Sequence, residues 1–167
     1  MTDLWLPEDA QLLIRSETLD KHFAETGGPL FGYERDEQVV VTRAFGPGPR
    51  ARHRPWIFDP DRAAVQGAID AVTAESAGAE RYIGSWHSHP FGIARPSRLD
   101  RRTARRIAND AEVGCPRPIM LIQTTVLRLS GVRPGNLRAY RWDAVDRGLR
   151  LLQIITYAPC VSNRVSS

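Results

Sequence analysis

Lysine, cysteine and long apolar runs are all scarce in this 167-residue sequence. Lys21 is the only lysine, so arginine supplies nearly all of the positive charge behind the formal net charge of +4. Cys115 and Cys160 lie far apart in no metal-ligand spacing, which indicates two unpaired thiols in a reducing compartment. No apolar run approaches the roughly 20 residues that cross a bilayer, and the N-terminus lacks a secretion-signal pattern. We therefore expect a soluble, cytoplasmic protein that does not contact a membrane.

The basic charge raises nucleic acid as a possible partner, because arginine side chains neutralise phosphates. The arginines are scattered along the chain and belong to no nucleic-acid-binding motif. Nucleic acid is therefore kept only as a minor alternative.

The pattern of apolar residues predicts one domain over residues 1–157 and a C-terminal tail over residues 158–167. Short edge strands are predicted at Leu4–Leu6 and Leu12–Ile14, followed by a helix over Glu17–Ala24 that Ser16 caps. The later predicted elements are strands at Pro29–Tyr33 and Gln38–Phe45, a basic loop at Gly46–Trp56, a helix from Asp59 or Asp61 to Ser76, a strand at Arg81–His87, a helix from Ser97 to Glu112, and strands at Pro118–Thr125, Asn136–Trp142 and Leu149–Tyr157. Because strands and helices are mixed in this order, we expect an α/β sandwich around one sheet.

Two histidines share one face of the strand if it extends to residue 89. Side chains in a strand alternate between faces, so residues two apart point the same way. The face of the histidines is predicted to hold Ile83, Ser85, His87 and His89. The opposite face is predicted to hold Tyr82, Gly84 and Trp86. Two imidazoles roughly 7 Å apart along the backbone can lean toward one ion, although His-x-His alone fits a surface pair equally well.

A carboxylate at the start of the next helix is the third candidate ligand. Ser97-Arg98-Leu99-Asp100 fits an ordinary capping box, in which the acid interacts with the helix start. On the helix surface, however, Asp100 heads a mainly apolar stripe that consists of Asp100, Ala104, Ile107, Ala108 and Ala111. A carboxylate that points inward is costly unless it is paired or binds a metal. A cation held jointly with His87 and His89 would satisfy it.

Two histidines and one carboxylate leave one tetrahedral position open for water, which is the pattern of a catalytic zinc site. Such a water needs a base, and a glutamate outside the metal shell typically serves this purpose. The hydroxyl of Ser97 lies at a helix start, where it can point toward a developing oxyanion. The spacing therefore predicts a hydrolase with one zinc ion held by His87, His89 and Asp100.

These residues resemble the signature of the JAMM (MPN+) zinc metalloprotease family, whose bacterial members are of the JAB type. The match comprises His87-Ser88-His89-Pro90, with seven residues between His89 and Ser97 and two between Ser97 and Asp100. Upstream, Glu25-Thr26-Gly27-Gly28 and the apolar residues that follow resemble the family's glutamate and glycine-pair element. Pro29 departs from this pattern and suggests that the strand begins later or lies at an edge.

The resemblance implies a cytidine-deaminase-like α/β/α sandwich, with a mixed, mostly antiparallel sheet flanked by helices. It also implies that Glu25 is the general base and that Ser97 stabilises the tetrahedral intermediate. One physical detail agrees with a functional role for Glu25. Glu25 follows the helix predicted over residues 17–24, and an acid at the C-terminal end of a helix interacts unfavourably with the helix dipole. A purely structural role for Glu25 is therefore disfavoured.

For the substrate, the resemblance implies cleavage after the C-terminal glycine of a ubiquitin-like protein, as in small bacterial deubiquitinase-like enzymes. The reaction would be deconjugation or precursor processing, with E1/E2-like proteins of the same operon as possible partners. Processing of a sulfur-carrier protein is one alternative, and a non-catalytic MPN-type scaffold that binds a ubiquitin-like or other protein is another. The arginines of the Gly46–Trp56 loop could contact such a partner or simply be solvated. A zinc nucleoside deaminase and a His-Glu-x-x-His protease are both excluded, because their motifs are absent.

Overall fold

The computed structural model describes residues 2–159 and shows a mixed α/β chain with nine strands and three helices in that range. The strands are β1 (Asp3–Pro7), β2 (Gly27–Arg35), β3 (Gln38–Ala44), β4 (Arg52–Arg54), β5 (Ile57–Asp59), β6 (Arg81–His89), β7 (Ile119–Arg128), β8 (Gly131–Asp143) and β9 (Gly148–Tyr157). The helices are α1 (Glu8–Asp20), α2 (Arg62–Glu75) and α3 (Arg98–Asn109). The predicted α/β class is confirmed. Residues 160–167 of the predicted tail, with Cys160, lie outside the described residues.

The main sheet closes on itself as a barrel in the order β1-β3-β2-β6-β7-β8-β9. β1 closes the barrel because it pairs in parallel with β3 on one side and with β9 on the other. β6 and β7 form a third parallel pair, while the other four pairings of the barrel are antiparallel. Leu4–Leu6, predicted as an edge strand, is therefore a strand with neighbours on both sides.

Helices cover both faces of the sheet. Leu121 of β7 belongs to an apolar cluster with Ala10 and Ile14 of α1. Its neighbour Ile122 belongs to a second cluster with Ala104 of α3. Because neighbouring residues of a strand point to opposite faces, α1 and α3 lie on opposite sides of the sheet. This places the start of α3 beside the end of β6.

Helix α1 corrects the prediction for the N-terminal region. Leu12–Ile14, predicted as a strand, lies inside α1, and the helix predicted over Glu17–Ala24 ends at Asp20. The helix begins after Pro7, so Ser16 does not cap it. The buried residues of α1 recur at every fourth position and are Ala10, Ile14 and Thr18. A run of three apolar residues hides this helical period, which explains why the sequence reading was wrong.

Strand β6 contains a bulge that changes which side chains share a face. The pairing between β2 and β6 skips Ile83, which adds one residue to β6 at this point. Ile83 therefore packs in the barrel core with Trp86, whereas Tyr82 lies beside Ser85 and lines a groove with His87. The predicted faces are wrong for Ile83 and Tyr82, because strict alternation assumes an unbroken ladder.

Strand β2 begins before Pro29 rather than after it, and it lies between β3 and β6 rather than at an edge. The carbonyl of Pro29 accepts a hydrogen bond from the backbone nitrogen of Phe45 at 3.1 Å. A residue of an antiparallel strand directs its N–H and C=O to the same neighbour. Proline has no backbone N–H, and the position where Pro29 lacks this donor is on the side of β3. The pairing of β2 with β3 ends there, at Ala44.

The Gly46–Trp56 segment is not wholly a loop, because β4 pairs with β5 in a small separate hairpin. Helix α2 follows it and begins as predicted after Asp61, whose carboxylate accepts hydrogen bonds from Ala63 N and Ala64 N. The predicted capping box of Ser97 and Asp100 is also present at the start of α3. α3 ends at Asn109, so Ala111 does not extend its apolar stripe.

None of the described helices combines the length and apolar character needed to cross a bilayer. The thiol of Cys115 is buried and has no disulfide partner among residues 2–159.

Candidate metal centre

The end of β6 and the first turn of α3 bring two histidines and one carboxylate to a common point. The Nε2 atoms of His87 and His89 are 3.0 Å apart. Asp100 places Oδ1 at 3.3 Å from His87 Nε2 and Oδ2 at 3.5 Å from His89 Nε2. These ligand atoms lie within 4.8 Å of one another and could hold a metal ion. The structure thus brings together the three residues that the sequence predicts as ligands.

Hydrogen bonds outside this cluster orient its members. His89 Nδ1 lies 3.0 Å from the carbonyl oxygen of Ile93, an acceptor, so Nδ1 carries the proton and the Nε2 lone pair faces the cluster. One oxygen of Asp100 accepts a hydrogen bond of 2.6 Å from Ser97 N. The capping box therefore orients the Asp100 carboxylate and starts the helix with the same contact. Asp100 can thus be both part of the helix cap and a metal ligand.

The loop between the two ligand-bearing elements is held by two hydrogen bonds that the sequence reading missed. Tyr140 of β8 donates its hydroxyl to the carbonyl of Ala94 at 2.6 Å. Thr125 of β7 accepts a hydrogen bond from the backbone nitrogen of Phe91 at 3.0 Å. Both contacts join residues distant in sequence, so no local pattern could have indicated them. They anchor the loop between His89 and the start of α3 to β7 and β8.

The electrostatics of the cluster favour a positive charge at its centre. Burial acts to raise the pKa of Asp100, but hydrogen bonds and charge from His87 and His89 hold this pKa far below its ordinary value. Burial acts to lower the pKa of His89, but its hydrogen bonds to Asp100 and to the Ile93 carbonyl leave that pKa raised. The acceptor atoms of this cluster stabilise a proton on histidine, and for the same electrostatic reason they can stabilise a metal cation.

Glu25 lies in the segment between α1 and β2, and its backbone is held by the β4–β5 hairpin. Its nitrogen donates to the carbonyl of Arg54 at 2.9 Å, and its carbonyl lies 3.0 Å from His53 Nδ1. Burial raises the pKa of the Glu25 carboxyl, while the nearby charges of His87 and His89 act to lower it. The helix-dipole argument for Glu25 is wrong, because α1 ends at Asp20.

A backbone contact ties the Glu25 segment to the histidine strand. Thr26 N donates to Ser88 Oγ at 3.0 Å, and Ser88 N donates to the Thr26 carbonyl at 2.8 Å. The next residue, Gly27, lies opposite His87 in the ladder of β2 and β6. A Cβ on Gly27 would lie 2.4 Å from the Trp86 carbonyl, so only glycine permits this approach. The close packing of β2 against β6 therefore requires glycine at position 27, the first of the glycine pair.

Ser97 is exposed at the rim of the cluster. Its hydroxyl oxygen accepts the backbone N–H of Asp100 at 3.1 Å. This contact uses the oxygen as acceptor and leaves the hydroxyl proton available to donate to another group.

A groove of about 730 Å³ leads away from the cluster, within the size range of ligand sites. Glu25, His87 and Asp100 line one part of it, and the groove then passes between the β4–β5 hairpin, α2 and α3. Its basic members are Arg52, Arg54, Arg62 and Arg106. The sequence reading placed two of these in the Gly46–Trp56 loop but gave no reason to join them to Arg62 or Arg106.

The fold and the site place this chain in a class: mixed α/β barrel proteins that carry a candidate His-His-Asp metal site at the end of one strand. The family described as prokaryotic homologs of the JAB domain matches residues 7–143 of this chain. The chain belongs to this family, and the predicted resemblance is confirmed.

Similar proteins extend this assignment. The chain is 36% identical over 163 residues to a probable metalloprotease, y4qB, of Sinorhizobium fredii, with 95% of each protein covered. It is 32% identical over 82 residues to a CD-NTase/cGAS isopeptidase of Vibrio cholerae, a match covering 49% of this chain and 53% of that protein. An isopeptidase of the same name from Enterobacter hormaechei is 31% identical over 110 residues, covering 64% of this chain and 59% of that protein. These names support a hydrolase role as a peptidase or isopeptidase.

The solution structure of protein DSY2949 from Desulfitobacterium hafniense is similar in fold, with a TM-score of 0.64 at 20% sequence identity. The similarity covers 95% of this chain and 94% of that one. At this level of identity the likeness concerns the fold alone.

Proposed function

We propose that this protein is a zinc-dependent isopeptidase or peptidase that cleaves after the C-terminal glycine of a ubiquitin-like protein. The observation that carries the proposal is the convergence of His87, His89 and Asp100 at one end of a groove that Glu25 also lines. The relatives named isopeptidase favour deconjugation over processing of a sulfur-carrier protein. We infer a cytoplasmic enzyme that works beside E1/E2-like proteins, with its catalytic domain in residues 1–157.

The donor set fits zinc. Two imidazole nitrogens and one carboxylate oxygen are the ligands that catalytic zinc sites use, with a fourth position open. The hydrogen bond from His89 Nδ1 to Ile93 gives this ligand the outer contact that such sites require. When bound, zinc supplies a Lewis acid that polarises the scissile carbonyl and lowers the pKa of water.

Glu25 is proposed as the general base. Its carboxylate accepts a proton from the attacking water and then delivers that proton to the leaving amine. Burial, which raises the pKa of Glu25, makes it a stronger base than an exposed glutamate and so suits both transfers. The contacts from Arg54 and His53 to its backbone hold it at the edge of the cluster.

Ser97 is proposed to stabilise the oxyanion that develops on the scissile carbonyl. Its hydroxyl oxygen is already engaged by Asp100 N, so the hydroxyl proton is the part that can reach the substrate.

The helices on both faces of the sheet support the proposed α/β/α arrangement of the cytidine-deaminase-like fold. In this description the central layer is the closed sheet, of which four pairings are antiparallel and three parallel.

The proposal is tested by metal analysis together with cleavage of a ubiquitin-like protein fused at its C-terminal glycine to a reporter. The wild-type protein should contain about one zinc ion per chain and release the reporter. His89→Ala should lose the metal and the activity. Glu25→Gln should keep the zinc but lose at least about 100-fold in kcat, because it removes the base and leaves the ligands intact.

Three results would count against parts of this proposal. A natively folded wild-type protein that binds no zinc and cleaves nothing would favour the non-catalytic MPN-type scaffold. Full activity of Glu25→Gln would remove Glu25 as the base while leaving the metal site in place. Zinc retained by His89→Ala would remove His89 from the ligand set.

A further inference from the structure

Four arginines from three separate elements line the groove that leads to the candidate metal centre. Arg52 and Arg54 belong to β4, Arg62 begins α2, and Arg106 lies near the end of α3. All four side chains are exposed. Because the elements are distant in sequence, the fold alone creates this concentration of positive charge.

None of these four guanidinium groups forms an ion pair with a carboxylate in residues 2–159. Elsewhere on the molecule, arginines do find acidic partners. Arg43 pairs with Glu75 and Glu80, and Glu34 lies beside the guanidinium groups listed here: Arg81, Arg117 and Arg141. Arg81 is at the start of β6, the end opposite His89. Other arginines of residues 2–159 are unpaired as well, so these four are distinguished by their gathering in one groove rather than by the lack of a partner.

Two aspartates, Asp59 and Asp110, also line the groove and reduce its charge only in part. The Asp110 carboxylate already accepts hydrogen bonds from Glu112 N at 3.0 Å and Val113 N at 3.4 Å. Asp59 lies opposite Arg52 in the β4–β5 hairpin but forms no ion pair with it in the described structure. Four positive side chains and two negative ones leave the groove beyond the catalytic residues basic.

The outer surface of α3 adds further positive charge beside the groove. Five of its twelve residues are exposed arginines, and several pairs of them are three or four residues apart; the five are Arg98, Arg101, Arg102, Arg105 and Arg106. Like charges at this spacing repel one another on a helix. Of these five arginines, only Arg106 lines the groove.

We propose that the groove arginines select a substrate whose extended segment before the scissile glycine carries aspartate or glutamate side chains. This inference rests on the proposed peptidase function and specifies its substrate class. Arg62 of α2 and Arg106 of α3 both line the groove, so an acidic segment that enters it is attracted by side chains of two elements. A segment rich in arginine or lysine meets repulsion at the same positions.

The lining of the groove favours a polypeptide over a single-stranded nucleic acid. Its apolar members are largely aliphatic, and they are Ile57, Val65, Leu99, Ile107, Val113 and Met120. Nucleic-acid grooves instead present aromatic platforms on which bases stack. Of the three aromatic residues that line the groove, Trp86 is only 1% exposed, Tyr82 is partly buried beside Ser85, and Phe58 packs with His53 at a ring distance of 5.6 Å. Aliphatic side chains with arginine are typical of protein interfaces.

The test uses three fluorogenic peptides that end in Gly-Gly joined to a reporter amine and differ only upstream, where they carry Glu, Gln or Arg pairs. The zinc-loaded wild-type protein should prefer the Glu peptide over the Arg peptide by about tenfold in kcat/KM, mainly through KM, because complementary charge acts on binding. Arg62→Glu/Arg106→Glu should reverse this order. Fluorescence anisotropy of the same labelled peptides gives a second readout that does not depend on cleavage.

Arg101→Glu/Arg105→Glu is the matched control, because it makes the same change in net charge on residues that do not line the groove. It should keep the preference for the Glu peptide. Equal use of all three peptides, a preference for Arg, or an equal shift in the control would overturn the proposal. Tighter binding of an oligo(dT) strand than of the Glu peptide, lost in Arg62→Glu/Arg106→Glu, would also overturn it and assign the groove to nucleic acid.

The two hypotheses fail in different ways. If no peptide is cleaved but Arg62→Glu/Arg106→Glu loses binding of the Glu peptide, the acidic specificity holds and the hydrolase function is wrong. If all peptides are cleaved and bound alike, the hydrolase function holds and the acidic specificity is wrong.

Discussion

Gly84 shows how one residue without a side chain allows two neighbouring strands to approach closely. Its φ angle is +148°, a conformation that side chains rarely adopt, and it lies next to the bulge at Ile83. A Cβ here would lie 2.0 Å from the carbonyl oxygen of Ile119 in β7. The close approach of β6 and β7 therefore depends on glycine at this position.

At the residue scale we predict that Gly84→Ala destabilises the protein by about 1–3 kcal/mol or more, because the added methyl group meets backbone that cannot move aside. The matched control is Gly67→Ala in the interior of α2, where an added Cβ has no atom within 4 Å. That change should stabilise by about 0.5–1 kcal/mol, since it removes the entropic cost of glycine in a helix. Urea unfolding measures both, and equal effects would contradict the prediction.

At the scale of single elements, helix α2 shows how a side chain fixes both a helix start and the loop before it. One oxygen of Asp61 accepts hydrogen bonds from Ala63 N at 3.1 Å and Ala64 N at 3.2 Å. The other oxygen accepts one from Arg50 N at 3.0 Å. Asp61 thus joins the loop after β3 to the start of α2, which carries the groove residue Arg62.

These bonds hold the pKa of Asp61 below its ordinary value of 3.8, led by the contact from Ala64 N. A lowered folded-state pKa stabilises the protein above the unfolded-state pKa, and this stabilisation is lost as pH falls through the folded-state value. We predict that Asp61→Ala lowers Tm by a few degrees at neutral pH and that the gap narrows below about pH 3.8. Asp61→Asn keeps an acceptor oxygen and should show a smaller gap at neutral pH, which also narrows in acid because the wild-type carboxyl is the group that titrates. Calorimetry across pH decides, and a gap that widens in acid would exclude this account.

At the scale of the whole molecule, the first strand determines whether the barrel closes. β1 pairs with β3 and β9, which lie far apart in sequence, and Leu4 and Leu6 are fully buried in the main core. The chain segment before the first helix is therefore part of the core and not an appendage.

We predict that Leu6→Ala costs about 2–5 kcal/mol, because a buried leucine loses its transfer free energy and leaves a cavity where three strands and α1 meet. Leu12→Ala is the control, since Leu12 is 64% exposed on α1. It should change the free energy of unfolding by less than about 0.5 kcal/mol. If chemical denaturation gives similar losses for both, β1 does not close a shared core.

The sequence alone was enough for much of the candidate site because the relevant signals are local. The two-residue period of a strand puts His87 and His89 on one face, and the capping box starts α3 at Ser97. The spacing of these residues and the Glu25 element also indicated the family, which the match over residues 7–143 bears out. α2, β7, β8 and β9 were found near their predicted positions for the same reason.

Other features depend on contacts between distant residues, which no local pattern contains. The bulge at Ile83 arises where β6 fits between β2 and β7, and α1 is set by the barrel face that it covers. The Thr26–Ser88 contact and the Tyr140–Ala94 bond join segments far apart in the chain.

The candidate metal centre is thus determined by the sequence in its residue types and spacing. The tertiary structure decided what surrounds it. Only when β4, α2 and α3 pack around the end of β6 do Arg52, Arg54, Arg62 and Arg106 share one groove. The physical reason is that the periodicity of helices and strands is set by hydrogen bonds over a few residues. The charge of a groove is instead the sum of the charged side chains from every element that lines it.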